Sequence, residues 1–413
     1  MANERGTGET PTTAIDPAVA AAFAHLTGTT EAVSELQIEL SEIAAPTGAE
    51  SERAEAVAHW LQSAGCRVEI DEVGNVIGRR VGREPGLAVA LSAHLGTVFP
   101  AGQTVAVARP GEESPYQAGL HVPQGELHGP GIADDAAGLA ALIAIAQALA
   151  VSTLRTERDL LFVATVSDEG RGDPRGARHF FSQEDLSELA AFVTIDHPDP
   201  AVIVHRGVAS LRYSVEFRGA GGHAWGHFGG YNPAIALGAA VAEIGRIETN
   251  EAPRATFNVG IVETGRSVNA IPESARMEID LRSEDPEQLA RLENLVREAV
   301  SKGHHEEQER RQANGASVVI TEIGRRPAGE TPLNSALVQS ARRALEAEGF
   351  APRLTTSSTD ANAAMAAGIP AICLGWGGRS DNQHSVSEFF AAEGREQSLA
   401  FVLRVLLDMA GTA

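Results

Sequence analysis

The sequence predicts an α/β protein: a mostly parallel sheet flanked by helices, with a smaller α+β domain of ferredoxin-like order inserted into it. Three observations predict this. Short runs that are apolar throughout and rich in β-branched residues, such as "LAVALSAH", "DLLFVATVS" and "AFVTID", suit strands covered on both faces. They alternate with helical patterns, as the units of a parallel sheet do. Between about residues 207 and 326 the style changes to strands that alternate polar and apolar residues, after which the apolar style returns. At 413 residues the chain also exceeds one comfortable core.

Residues 1–17 are polar and read as a flexible lead-in. From about Ala18 to Ala64 the pattern is helical. In "SERAEAVAHWLQSAG", Ala54, Val57, Ala58 and Leu61 share one face, with Ser51 as the candidate N-cap and Gly65 as the stop. Strands "CRVEIDEV", "VIGRRV" and "LAVALSAH" follow, then a Gly- and Pro-rich loop from Pro100 to Gly131 and an apolar helix over Ala136–Val151. In the middle section, strand "SLRYSVEFRG" leads to helix "NPAIALGAAVAEIGRIE" and to strands "TFNVGIVETG" and "ARMEIDLRS". Helix "PEQLARLENLVREAVSKG" and strand "SVVITEIG" complete a β-α-β-β-α-β order, the ferredoxin-like arrangement. The stretch "HHEEQERRQANG" reads as a solvated loop or helix end and not as a metal cluster. Helix "LNSALVQSARRALEAEG" and strand "PAICLGW" then return to the first style. Residues 18–206 and 327–413 are thus expected to form one domain, and residues 207–326 another inserted into it.

Composition excludes several classes. The net charge of −22 argues against nucleic acid, which needs clustered Lys and Arg. Cys66 and Cys373 lie far apart and form no disulfide framework. The N-terminus has no apolar signal core, and the longest apolar run, "AAGLAALIAIAQALAV", is too short for a membrane span. The expectation is a soluble, cytoplasmic protein.

Open α/β sheets bind ligands beyond the carboxyl ends of their strands, so polar residues there carry information. His94 follows "LAVALSA", Asp134 and Asp135 stand in "GPGIADDAAG", and Asp168 and Glu169 in "VSDEGRGDPRG". Asp196 ends "VTID", and His384 lies in "GGRSDNQHSV". Two imidazoles with three or more carboxylates form a mixed N/O set suited to zinc, manganese or cobalt. Singly, each has a plain alternative: a hydrogen-bonded core histidine, a helix N-cap for the "DD" pair, a turn for "DEG". Only their convergence on one sheet edge points to a site.

At this level the chain resembles the dinuclear zinc metallopeptidases that include aminoacylase, bacterial glutamate carboxypeptidases and tripeptide aminopeptidase-like proteins. The segments carrying the resemblance are "AHLGTVFP", "HGPGIADDAAGLAAL", "VSDEGRGDPRGARHFF", "HRGVASLRYSVEFRGAGGHAWG", "NVGIVETGRSVNAIPESARMEIDLRS" and "SSTDANAAMAAGIPAICLGWGG". The resemblance implies a zinc-exopeptidase-like fold whose inserted domain dimerises, and a homodimer. It implies two divalent ions per chain, zinc or else manganese or cobalt. His94 and Asp196 would hold one, Glu169 and His384 the other, with Asp134 bridging. A water between the ions would be the nucleophile, Asp168 the general base, and His223 a residue that reaches the partner subunit's site to steady the oxyanion. Asn269 and Arg282 would contact a substrate carboxylate, and Thr359 with Asp360 would shape the pocket or steady the residues that hold the metals.

Two departures stand out. The family has an aspartate where this chain has Gly96, and a Glu-Glu pair where it has Asp168-Glu169. The aspartate would orient the ligand histidine, a task whose loss costs roughly 10–100-fold in metal affinity or activity. Three readings follow. One is a metal-dependent hydrolase of an amide bond in a dipeptide or N-acyl amino acid. The second keeps the metals and Asp168 for an elimination or isomerisation. The third is a catalytically degenerate homologue that binds a small molecule.

Overall fold

The computed structural model describes residues 16–84, 86–170, 173–182, 188–249, 251–311 and 315–412. Within these residues a nine-stranded sheet forms the larger layer. Its centre is parallel: Leu160–Thr165, Ala88–His94, Leu189–Ile195 and Ala371–Leu374 lie side by side in that order. Its margins are antiparallel, with Arg67–Ile70 and Val76–Arg80 on one side, and Val202–Gly207 followed by Gly329–Glu330 on the other. The strand Arg353–Ser357 pairs in parallel with Val202–Gly207.

Strand Ala88–His94 shows why apolar runs end up in the middle. It is buried along its whole length, and its side chains alternate between two apolar clusters. Val89, Leu91 and Ala93 face the helices Pro17–Gly28, Thr30–Ser41, Ser51–Ser63, Ala136–Val151 and Arg395–Ala410. Ala88 and Ala90 face the opposite side with Phe181, Phe192 and Met365. Helix Ala136–Val151 takes its predicted range and is apolar all round because it is buried nearly all round.

The second sheet has four antiparallel strands in the order Ala255–Thr264, Ser274–Ser283, Ala209–Arg218, Ser317–Arg326. Helices Pro233–Ile244 and Pro286–Arg311 close a separate apolar cluster on one of its faces. Burial alternates along Ala209–Arg218, as its polar–apolar pattern demands.

Several local expectations are corrected. The lead-in reading of residues 1–17 falls largely on residues 1–15, outside the described residues, but Asp16 caps a helix that already begins at Pro17. Ser51 is not the N-cap. Glu50 holds that position and makes no side-chain cap hydrogen bond, because its carboxylate is engaged elsewhere. The stretch "HHEEQERRQANG" is helical to Arg311, and its residues 312–314 lie outside the described residues. His304 and Glu307 there are buried, His304 against the Tyr231 hydroxyl at 2.8 Å and Glu307 against Arg311 at 3.1 Å. Strands Val202–Gly207 and Arg353–Ser357 escape the sequence patterns, since their polar residues mask the apolar period. Cys66 and Cys373 are buried free thiols. Among the described residues no helix is long and apolar enough to cross a membrane.

Candidate metal centre and active site

Parallel strands put their carboxyl ends on one edge, and that edge gathers the predicted residues. Ala88–His94 ends in His94, Leu189–Ile195 is followed by Asp196, and Leu160–Thr165 leads into the turn holding Asp168 and Glu169. Asp134 precedes helix Ala136–Val151, while His384 comes from a loop after the last central strand. Asp134 stands between the two histidines: its Oδ1 is 2.9 Å from His94 Nε2 and its Oδ2 is 3.0 Å from His384 Nε2. Behind each histidine is a second carboxylate. Asp196 Oδ1 lies 3.7 Å from His94 Nε2, and Glu169 Oε1 lies 3.0 Å from His384 Nε2.

The donor set fits cations. His94 Nε2 and Asp134 Oδ1 are both buried, and despite their proximity they lack the alignment a hydrogen bond needs. An imidazole nitrogen and a carboxylate oxygen buried this close without a hydrogen bond are tolerated when a cation receives both. The ligand atoms of His94, Asp134 and Glu169 fall within 4.8 Å of one another, as do those of His94, Asp168 and Asp196.

The "DD" pair divides its labour. Asp135 is the helix cap of the plain reading: its Oδ1 accepts from Gly138 N at 3.0 Å, and its Oδ2 accepts from the His94 backbone N–H at 2.9 Å. Asp134 faces the cleft. Glu388, which the sequence patterns did not single out, is fully buried and accepts from the N–H groups of Gly131, Ala133 and Asp134 at 2.8–3.1 Å. It thereby fixes the loop that presents Asp134. His94 Nδ1 donates to the Gly96 carbonyl at 3.0 Å, which leaves Nε2 free to face the cleft. Ser167 and His384 both take left-handed backbone conformations, with φ of 59° and 66°, which non-glycine residues adopt at a cost.

The charges are strongly coupled. Burial works to raise the Asp134 carboxyl, but His384 and His94 outweigh it and hold it well below the usual carboxylate range. Burial pushes Asp196 up to about 7 against the pull of His94. The hydrogen-bonding carboxylates Asp134 and Glu169 lift His384 to about 10.

Asp168 is buried and paired. Arg326 Nη2 donates to its Oδ1 at 2.9 Å and to its backbone carbonyl at 2.8 Å, and both side chains are almost wholly enclosed. Burial alone would raise the Asp168 carboxyl, yet the Arg326 guanidinium beside it brings it below its ordinary value. Asp360 lies behind Asp168 and hydrogen-bonds Thr165 Oγ1; burial, with Asp168 next to it, pushes its carboxyl well up. The sequence signal for Arg326 was faint: it is the basic residue at which the polar style gives way to the apolar one.

A cavity of about 490 Å³ opens over this cluster, walled by Arg212, Arg282, Arg326 and Thr359 as well as the carboxylates and His384. Arg282 donates from Nε to Asp280 at 2.6 Å, and Arg212 pairs with the same carboxylate at 2.7 Å. Thr359 is buried, and its N–H donates to Asn362 Oδ1 at 3.1 Å. His223 and Asn269 are not part of this wall. His223 lies in a short ribbon, Gly222–His223 against Ala270–Ile271, and the Asn269 carbonyl just before it accepts from Ala224 N at 2.9 Å; both residues are exposed.

A model of the family described as Peptidase family M20/M25/M40 matches residues 90–411. Solved structures share the fold over nearly all of the chain. A Staphylococcus aureus tripeptidase is 20% identical with a TM-score of 0.71, over 92% of this chain and 98% of that one. Human carnosine dipeptidase 1 is 13% identical with a TM-score of 0.73, over 95% and 99%. A Bacillus subtilis protein described as a dinuclear metal-binding peptidase from the M20 family is 17% identical with a TM-score of 0.64, over 94% and 100%.

Proposed function

The chain belongs to peptidase family M20/M25/M40 and is a hydrolase, and from that premise we propose that it cleaves an amide bond in a dipeptide or N-acyl amino acid with the help of two divalent ions. One observation carries the reading: the two oxygens of Asp134 each face a different histidine, and each histidine has its own second carboxylate. His94 and Asp196 would hold one ion, His384 and Glu169 the other, and Asp134 both; zinc suits this N/O set, as do manganese and cobalt. When bound, such a pair supplies Lewis-acid polarisation of the amide carbonyl and acidifies water.

The chain's own residues do the rest. Asp168 takes a proton from the attacking water and passes it to the leaving nitrogen. Arg326 fixes where that carboxylate points, a gain because aspartate reaches less far than glutamate and a misplacement of about 1 Å costs roughly a hundredfold. Arg282, with Nη groups beyond its Asp280 contact, binds a substrate carboxylate through two hydrogen bonds, and Thr359 lines the same wall. His223 and Asn269 serve a second copy of the chain in a homodimer. Trp225 and Phe228, 89% and 80% exposed beside them, are apolar surface of the kind that association covers.

Two results test this. Protein loaded with zinc, manganese or cobalt is expected to release amine from members of a dipeptide and N-acyl amino acid panel, and chelation is expected to abolish the release. Metal-replete protein that leaves the whole panel intact would refute the amide substrate. His223→Ala is expected to lower turnover by on the order of a hundredfold, the scale of one lost oxyanion donor, with bound metal unchanged by elemental analysis. Parental turnover would remove His223 from the mechanism.

A further inference from the structure

We propose that Glu50 is a positioning residue of the metal centre, doing from the start of helix Ser51–Ser63 what a carboxylate at position 96 would do from the end of the strand; the proposal rests on the metal-centre reading above. Glu50 is 3% exposed. Its Oε1 accepts from Gly48 N at 2.9 Å and from Ser167 N at 2.9 Å. A Cβ built on Gly96 would stand 3.1 Å from that same oxygen. The carboxylate therefore fills the space into which a side chain at 96 would grow. A second carboxylate there would meet Glu50 as a buried like charge.

The segment around Glu50 is wedged between two turns of the site. On one side, Thr47 N and Oγ1 donate to the Thr97 carbonyl at 3.3 and 3.1 Å, and Thr97 N donates to the Ala45 carbonyl at 2.9 Å. On the other, a Cβ on Gly170 would lie 3.2 Å from Thr47 Oγ1, and Glu50 holds the Ser167 N–H. The first turn contains the Gly96 carbonyl that orients His94; the second carries Asp168 and Glu169. Because His94 Nδ1 has a backbone carbonyl and no carboxylate as its partner, the ring is only as well placed as that turn is rigid. Glu50 fastens the second turn to the segment whose Ala45 and Thr47 hold the first, its carboxylate packs against Gly96, and the glycine at 96 is the space this requires.

The full-length protein and four variants test the proposal: Glu50→Ala, Glu50→Gln, Gly96→Asp, and Gly96→Asp combined with Glu50→Ala. Zinc affinity by chelator competition, the visible spectrum of the cobalt-loaded protein and the melting temperature of the metal-free protein are read for each. Glu50→Ala is expected to weaken zinc binding by roughly 10–100-fold and to alter the cobalt spectrum. Glu50→Gln keeps the accepting oxygen and retains most of the affinity. Gly96→Asp alone weakens binding. The double variant binds more tightly than the two single losses predict, since the added carboxylate then has the vacated space. Glu50→Ala with parental zinc affinity and cobalt spectrum, whatever its melting temperature, would overturn the role of Glu50 and leave the metal centre intact. Additive losses in the double variant would overturn the exchange between positions 50 and 96. A parent protein that binds none of the three metals would overturn the metal centre itself, and Glu50's role with it.

Discussion

Arg326→Met is expected to destabilise the protein by about 3–5 kcal/mol, the cost of removing one partner from a buried ion pair. The guanidinium and the Asp168 carboxylate are 4% and 7% exposed at their side chains, so water replaces the lost partner poorly. Arg326 also donates to the Asp168 backbone carbonyl, and its removal leaves that acceptor unsatisfied as well. Turnover is expected to fall by on the order of a hundredfold or more, because the base loses its fixed direction. Arg326→Lys keeps the charge but not the rigid guanidinium whose Nη2 donates to carbonyl and carboxylate together, and is expected to fall between parent and Arg326→Met. Denaturant unfolding of the metal-free protein together with steady-state amine release measures both effects. An Arg326→Met protein that unfolds and turns over like the parent would show that the pair matters to neither fold nor chemistry.

Asp134→Ala is expected to lose both metal ions, whereas His384→Ala loses mainly the one it shares with Glu169. Among the described residues Asp134 alone stands against both histidines, through different oxygens. Lewis-acid assistance is worth several kcal/mol of transition-state stabilisation, so turnover should drop on the order of a thousandfold or more. The loss belongs to the site and not to the helix behind it, since the cap of Ala136–Val151 comes from Asp135. Elemental analysis of the dialysed variants separates the two cases, with circular dichroism as the check on folding. Two ions retained by Asp134→Ala would remove the bridge from the centre.

The parallel centre of the sheet was legible because strand and helix periods are local. "LAVALSAH" and "AAGLAALIAIAQALAV" carry their burial in their own residues, and both lie where the patterns put them. The gathering of His94, Asp134, Glu169, Asp196 and His384 was legible for a related reason. His94, Glu169 and Asp196 follow the carboxyl ends of parallel strands, which must share an edge, and the loops carrying Asp134 and His384 meet them there. Strand Val202–Gly207 was missed because His205 and Arg206 interrupt its apolar run. Residue patterns alone do not divide the "DD" pair, since both residues satisfy the same capping rule; the resemblance pointed to Asp134 for the cleft, and the folded chain puts Asp135 in the cap.

By itself the sequence determined the α/β class, the change of style between about residues 207 and 326, and the set of residues at the sheet edge. Only the tertiary structure decided what holds them. Glu50, Arg326 and Glu388 reach the site from segments more than forty residues away from the groups they steady, as with Glu50 on Ser167, Arg326 on Asp168 and Glu388 on Asp134. Such contacts leave no period along the chain, because they depend on how separate layers pack and not on the residues beside them. Gly96 shows the difference most plainly. In sequence it is a carboxylate gone missing; in the folded chain the carboxylate of Glu50 stands against it, placed there by the packing of a helix that begins forty-five residues earlier.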